Sequence, residues 1–249
     1  MKISVITVVY NNQQTIRDAI NSVLSQTYND IEYIVIDGGS TDNTIEIVKS
    51  YKDKINVFIS EKDNGLYHAM NKGINLASGD VIGILNSDDF YSDHKVLSDV
   101  MENFNSDKKL DFLYGNLVYV KQDDTNRIVR NWKSKNYYDN FFEHANVPPH
   151  PSLFVRKSIY DEVGLFNLKY KIAADYELMI RFMKMNKFNF KYYDRLIVHM
   201  RLGGESNKSL KNVYLANKEV ANAWTDNNFK MPIYFFPLKI IKRMIQFIK

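Results

Sequence analysis

The chain has 249 residues, 45% of them hydrophobic and 25% charged, and it contains no cysteine. Those figures suit a globular protein with a sizeable core. They exclude a collagen, a disordered tail, a disulfide-stapled mini-protein and a thiolate-ligated zinc or iron–sulfur centre. The net charge of +4 lies at one end of the chain: from Thr225 to Lys249, Lys230, Lys239, Lys242, Arg243 and Lys249 stand against Asp226, so the preceding residues sum to zero and lend nucleic-acid binding no support.

The first element, Ile3–Val9, reads as a strand. No basic stretch with an apolar run and a cleavage site precedes it, so no signal peptide is expected. No uncharged apolar run reaches the roughly 18 residues of a membrane span, and a cytoplasmic location is the default expectation. Thr15–Leu24 reads as a helix, with Thr15 as N-cap and Asp18 three residues on, a capping-box variant. Ile31–Ile36 is a second strand and Thr44–Tyr51 a second helix. Val57–Ser60, Leu66–Ala77 and Val81–Leu85 repeat the alternation. The strands are continuously apolar, as in a parallel sheet covered on both faces, and this order predicts a doubly wound α/β sheet whose ligands lie beyond the strands' carboxyl ends.

The loops at those ends are polar: Tyr10-Asn11-Asn12, then Asp37 to Asp42, Glu61 to Gly65, and Asn86-Ser87-Asp88-Asp89. Their convergence on one sheet edge is the main functional signal. No G-x-G-x-x-G follows the first strand and no P-loop is present, which argues against dinucleotide and P-loop chemistry. Asp37 can accept a hydrogen bond from a base or ribose; equally, the segment is a turn in which Ser40 or Asp42 caps the next helix. Adjacent Asp88 and Asp89 suit Mg²⁺ or Mn²⁺; the alternative is a helix cap.

Past Phe104 the pattern is mixed. Phe112–Val120 and Arg127–Trp132 predict antiparallel strands around the polar turn Gln122–Asn126, Tyr137–Phe142 is aromatic-rich, and Pro148-Pro149-His150-Pro151 must be a loop. Asp175–Asn186 reads as a helix, with Asp175 either capping it or serving as a general base beside a cleft. His150 and His199 are ordinary packed imidazoles or site residues. His68 and most of the 17 Tyr and 15 Phe are read as packing, some of them as stacking platforms for sugars.

Several blocks carry a resemblance. Thr7 to Asn12, Ser22 to Tyr28 and Ile36 to Thr44 form an ordered opening signature. Ser60 to Tyr67 with Ala69 to Gly73 form a second block, and Ala77 to Asp80 leading to Leu85–Asp89 a third. Gly164-Leu165-Phe166 with Ala173 to Arg181 form a fourth, and Leu202-Gly203-Gly204-Glu205-Ser206 closes the series. Over about residues 2–206 the chain resembles the family 2 glycosyltransferases, bacterial inverting enzymes of the GT-A fold. The resemblance implies a Rossmann-like, mostly parallel sheet flanked by helices, with a small antiparallel element. Residues 1–105 would form a nucleotide-sugar-binding half, 106–206 an acceptor-binding half and 207–249 a helical tail.

The family's roles, carried to this chain, place Thr7, Val9, Tyr10 and Asn12 along the uracil and ribose, and Asp37 on the base with Gly39 and Ser40 close by. Asp63, Asn71 and Lys72 would lie near the nucleotide and sugar. Asn86, Ser87 and Asp88 would lie at the diphosphate, Asp88 holding Mn²⁺ or Mg²⁺ with His199 as a further candidate ligand. Asp175 would be the base, and His150, Tyr176 and Arg201 would face the acceptor. Two positions depart from the pattern. Asn86 stands where the family's D-x-D motif often begins with Asp, which implies weaker metal affinity and greater dependence on Asp88. His68 stands where relatives often carry Asp, with no physical reason visible in the sequence.

The implied reaction is transfer of a sugar from a UDP-sugar to a glycan or polyprenyl-diphosphate-linked acceptor in surface polysaccharide synthesis. A nucleotidyltransferase would be expected to have a Gly-rich, basic loop after the first strand, which Asn11-Asn12-Gln13-Gln14 is not. A non-catalytic sugar-nucleotide-binding scaffold would be expected to have lost Asp88 or Asp175, and both are present. Pro237–Lys249 reads as an amphipathic helix with Leu238, Ile240, Ile241, Met244, Ile245, Phe247 and Ile248 on one half and Lys239, Lys242, Arg243, Gln246 and Lys249 on the other. It is expected to anchor on an anionic leaflet, the inner face of the plasma membrane; the alternative is packing on the body or on a second copy in a homodimer.

Overall fold

A computed structural model describes residues 1–184, 187–203 and 209–247. The first half alternates as expected: β1 (Ile3–Val9), α1 (Ile16–Leu24), β2 (Ile31–Asp37), α2 (Thr44–Lys49), β3 (Val57–Ser60), α3 (Leu66–Leu76) and β4 (Val81–Ile84). Then come β5 (Phe90–Tyr91), α4 (Val96–Ser106), β6 (Phe112–Val120), β7 (Ile128–Trp132), a 3-10 turn at His150–Ser152, β8 (Leu153–Arg156), α5 (Lys157–Val163), α6 (Ala174–Met183), β9 (Phe190–Arg201), α7 (Leu210–Asp226) and α8 (Phe235–Ile245). The strands form one sheet in the order β3-β2-β1-β4-β8-β6-β9-β5, with β7 on β6. Strands β1 to β4 pair in parallel, so their carboxyl ends share one edge.

Two apolar layers cover the sheet. On one face Ile6, Val8, Ile34 and Ile36 pack with Met70 and Ile74 of α3, Phe182 of α6 and Trp224 of α7. On the other, Ile3, Val5, Tyr33 and Val35 pack with Ile16 and Ile20 of α1, Val48 of α2 and Val100 and Phe104 of α4. Each such side chain contributes about 1.5–3 kcal/mol through burial. This double covering is why these strands lack polar alternation. Helix α3 lies so close to β1 that a Cβ on Gly73 would meet Ile6 Cγ2 at 2.4 Å; glycine there brings Tyr67, Asn71 and Lys72 down to the sheet edge.

Four details correct the sequence reading. Thr15 sits at the N-cap of α1, but its hydroxyl is not a cap: it lies 2.8 Å from Asn12 Oδ1 and 2.9 Å from Ser87 O. Asp18 completes no capping box and pairs with Arg201 instead. The loop 86–89 leads into a strand, not a helix, so neither aspartate is a cap. And β6, antiparallel to β7 as expected, is in addition an inner strand of the main sheet, antiparallel to β8 and parallel to β9. Helix α6 starts one residue before its expected position and runs to Met183; Asn186, the expected end, lies outside the described residues, as do Gly204-Glu205-Ser206 of the closing block and Ile248 and Lys249 of the tail. Among the described residues no helix is long and apolar enough to cross a membrane.

Candidate active site

The four polar loops meet at one edge and are tied to one another. Asn12 Nδ2 donates to Ser87 Oγ (2.9 Å), Asn11 N to Ser40 Oγ (2.8 Å) and Thr41 N to Asn11 Oδ1 (2.7 Å). Asn12 and Ser87 therefore brace the loops, since their side chains are occupied by each other and by Thr15. Asp37 is fully buried, and its carboxylate takes four hydrogen bonds: Gly39 N, Ser40 N and Ser60 Oγ on Oδ2 (3.0, 3.0 and 2.7 Å) and Ser40 Oγ on Oδ1 (2.5 Å). Three of the four fall on Oδ2, so the carboxylate is committed chiefly to its own turn. Asp37 organises a turn that needs φ +82° at Gly39, a conformation glycine adopts at little cost. Thr7 is likewise buried, accepting the Tyr33 hydroxyl at 3.1 Å, and Val9 packs in the core.

The open acceptor is on Asp63. Its Oδ1 takes Lys72 Nζ (2.8 Å) and faces His68 Nδ1 (2.9 Å), while Oδ2 is buried with no hydrogen-bond partner. A Cβ on Gly38 would lie 3.7 Å from that oxygen and 3.5 Å from the ring of Tyr10, a ring 63% exposed. A flat exposed aromatic and a lone carboxylate oxygen thus sit together on either side of Gly38. His68, unexplained from sequence, has its place as the neighbour of Asp63. Burial works against the Lys72 ammonium, but Asp63 and Glu61 outweigh it and hold its pKa above the usual value. Asn71 faces away from this group: its amide clamps the main chain of Phe166, accepting from N and donating to O at 2.9 Å each.

The acidic loop is fixed from β9. Arg201, buried, pairs with Asp18, donates to the Asp88 carbonyl (2.8 Å), and lies with its guanidinium carbon 5.0 Å from the centre of the Phe90 ring. It therefore holds this loop and does not face an acceptor. Asp89 is buried, receiving Asn86 Nδ2 (3.2 Å) and Arg201 N (3.3 Å). Burial, with the charge of Asp88 next, pushes its carboxyl well above the usual range. Asn86 Oδ1 and His199 Nδ1 are both buried and without hydrogen-bond partners; the His199 ring meets Phe90 edge-on at 5.0 Å. Among the described residues no three His, Cys, Asp or Glu groups gather into a metal cage. An ion needing mostly protein ligands does not fit here. One held by a carboxylate, an amide oxygen, water and substrate phosphates does, as Mg²⁺ commonly is.

The second half of the site is a cavity of about 920 Å³ that Asn86, His150, Asp175 and Tyr176 all line. Asp37, Asp63 and Asp88 lie outside its lining, on the loops beside it. Asp175 occupies the first turn of α6, whose N-cap is Ala173, so the carboxylate is free of capping duty and instead receives the Tyr67 hydroxyl at 3.2 Å. The single phenol proton is shared with Ile172 O, which lies at 2.7 Å. Burial, then Asp175, push the Tyr67 phenol well above its usual value, so it stays a donor. From α7, buried Glu219 accepts three main-chain N–H groups, Lys171, Ile172 and Ala173, each at 2.9 Å. Those charge-assisted bonds set the entry to α6. His150 meets Phe166 edge-on, and burial holds its pKa below the usual histidine value against the pull of Asp175. Tyr176 is buried with its oxygen accepting Trp224 Nε1 at 3.0 Å, which ties α6 to α7.

Residues 4–164 match the glycosyl transferase family 2. The chain belongs to that family. It is 26% identical over 216 residues to a PGL/p-HBAD biosynthesis glycosyltransferase of Mycobacterium bovis, covering 85% of this chain and 82% of the relative. It is 32% identical over 182 residues to an uncharacterised glycosyltransferase of Mycobacterium tuberculosis, covering 72% and 68%. The fold of this glycosyltransferase is of the GT-A type. Residues 1–349 of S. aureus TarS, solved with UDP-GlcNAc, superpose with TM-score 0.68 at 18% identity, covering 99% of this chain and 73% of that one; the chain spans 41% of the longer TarS structure. The mannosyltransferase PcManGT of Pyrobaculum calidifontis, solved with GDP-Man and Mn²⁺, gives TM-score 0.68 at 14% identity, covering 98% and 69%.

Proposed function

We propose that this glycosyltransferase moves a sugar from a UDP-sugar to an acceptor hydroxyl in a single inverting displacement, with Asp175 as the base. The acceptor oxygen attacks the anomeric carbon as the bond to the diphosphate breaks, its proton passes to the Asp175 carboxylate, and the diphosphate departs with the electron pair. The observation that carries this reading is the cavity shared by Asp175 and Asn86, which joins the acceptor side to the loop that bears Asp88. The UDP-GlcNAc complex of TarS supports the donor class.

The free Oδ2 of Asp63 beside the exposed Tyr10 ring supports those two residues, in place of Asp37, Thr7 and Val9, as the base-binding pair. Lys72 and His68 flank them. Asp88 and Asn86 Oδ1 would hold Mn²⁺ or Mg²⁺, with His199 as a further ligand. A divalent ion there supplies charge neutralisation for the departing diphosphate. Tyr67 and Glu219 position the base, and His150 faces the acceptor hydroxyl.

The tail supports a membrane-carried acceptor. Helix α8 turns its lysines toward the body and leaves Ile240, Ile241, Met244, Ile245 and Phe247 exposed. Its first turn packs on the body through Phe235 and Phe236; the rest, held by its lysines and showing apolar residues outward, is suited to lie in a lipid interface. The testing experiment is UDP release across a panel of UDP-sugars with Mn²⁺ and a lipid-linked glycan extract. Turnover with one donor, dependent on the extract, is expected; no UDP release and no UDP binding would overturn the reading.

A further inference from the structure

The cavity beneath Asp175 runs away from the sheet edge toward α8, and its far wall is cationic. Arg130, Lys133 and Lys135 line it from β7 and the segment that follows, and Lys239, Lys242 and Arg243 line it from α8. Among its described lining residues Asp175 is the one carboxylate. Lys133 pairs with Asp194 at 2.9 Å. Arg130, Lys239 and Lys242 are instead satisfied by neutral oxygens: Gln246 Oε1 (2.6 Å), Asn217 Oδ1 (3.0 Å), and His144 O with Asn146 Oδ1 (2.5 Å each).

The cations also press on one another. Burial and then Arg243 hold Lys239 below its usual value, Asp175 pulling the other way, and burial and then Lys135 do the same to Lys242. Arg130 is lowered by burial and by Arg243, while Tyr119 opposes. Like charges half withdrawn from water cost free energy that a bound anion offsets. The wall between them is apolar, with Arg130 lying 4.5 Å over Tyr119 and 5.4 Å from the Trp132 ring.

Resting on the sugar-transfer reading of Asp175, we infer that this wall is a phosphate-ester subsite of the acceptor: a phosphate or diphosphate sits among Arg130, Lys239, Lys242 and Arg243 while the attacking hydroxyl reaches Asp175. An acceptor hydroxyl alone would not call for such a wall. A phosphorylated glycan carrier would, and α8 carries three of the cations, Lys239, Lys242 and Arg243, together with Ile240 and Ile245, which line the same cavity and belong to the exposed apolar stripe along which a lipid chain would leave.

Calorimetric titration with inorganic pyrophosphate, farnesyl diphosphate and UDP tests this, on the full chain and on Lys239→Gln/Lys242→Gln. Glutamine keeps helix propensity close to lysine, and Arg130→Gln, on β7 and away from α8, serves as a second variant. Farnesyl diphosphate is expected to bind the unaltered chain at least tenfold tighter than either variant, with UDP affinity within twofold throughout. Pyrophosphate binding as tightly would mark the phosphate alone as the ligand, and farnesyl diphosphate binding tighter would mark a lipid carrier. Equal farnesyl diphosphate affinity in all three proteins would overturn the inference. So would a parallel fall in UDP affinity, because the cations would then serve the donor's diphosphate. Loss of UDP binding in the unaltered chain with diphosphate binding kept would instead overturn the sugar-transfer reading alone.

Discussion

The hydroxyl of Tyr67 on α3 donates to the carboxylate of Asp175 on α6 across 3.2 Å, so the helix that borders the nucleotide loops fixes the group that faces the acceptor. The bond occupies one carboxylate oxygen; in the proposed reaction the other takes the proton of the acceptor hydroxyl. Tyr67→Phe removes the bond and keeps the ring that stacks on Phe166 at 5.4 Å. Transfer is expected to fall about tenfold in kcat with little change in donor KM, as for a loosened base, and stability by about 1 kcal/mol. A rise in donor KM at unchanged kcat, read from initial rates, would place Tyr67 in donor binding instead.

Asp88 lies in a loop braced on three sides, by Asn12 on Ser87, by Thr15 on the Ser87 carbonyl and by Arg201 on its own carbonyl. With Asn86 adding no charge, the proposed Mn²⁺-dependent UDP binding would rest on this one carboxylate. Asp88→Ala is expected to bind UDP equally with and without Mn²⁺, while the unaltered chain gains at least about tenfold from the ion. Calorimetry showing the same Mn²⁺ gain in both proteins would remove Asp88 as the ligand.

Burial holds His150 below its ordinary value of 6.5. Between the folded and unfolded values the unfolded chain binds the extra proton, so this contribution is fully present above pH 6.5 and is lost as pH falls below it, at up to about 1.4 kcal/mol per pH unit. His199 shifts in the same direction for the same reason. Urea unfolding at pH 7.5 and 5.5 is expected to show a smaller acid loss in His150→Asn than in the unaltered chain. Parallel losses in the two proteins would mean that the ring takes up its proton as readily folded as unfolded.

The nucleotide-side strands were legible because a strand covered on both faces is apolar throughout, and the loops that follow them stand out by contrast. Strand β9 was not legible: most of its residues are only half-buried, and only Ile197 and Val198 stand out as an apolar core. Strand β8 has four residues directly after a proline-rich loop. At the site, Asp175 and the acidic loop could be picked out as a carboxylate at a helix start and a pair of carboxylates at a strand end. That Asp37 is committed to its own turn is not legible in the sequence, because one of its donors, Ser60, comes from the neighbouring strand. The pairing of Arg201 is hidden for a similar reason, since its partner Asp18 lies 183 positions earlier. Glu219 reads as a solvated residue in a polar helix; only the packing of α7 on α6 shows the three N–H groups it satisfies.

The exposed stripe of α8 makes its own prediction. Ile241→Glu/Met244→Glu places two charges on the outer face, 54% and 64% exposed in these residues, without touching the lysines that hold the helix to the body. Co-sedimentation with vesicles containing anionic lipid is expected for the unaltered chain and lost in the variant, which remains folded. Equal sedimentation of both, or neither binding, would assign the stripe to something other than a membrane.

The most direct test of Asp175 as the base is Asp175→Asn, measured for UDP affinity and for acceptor-dependent UDP release in the same preparation. The amide fills the same space and can still accept the Tyr67 hydroxyl, but it cannot take a proton. Unchanged UDP affinity with transfer reduced by at least about 10²-fold is the expected result; turnover within a few-fold of the unaltered enzyme would contradict it.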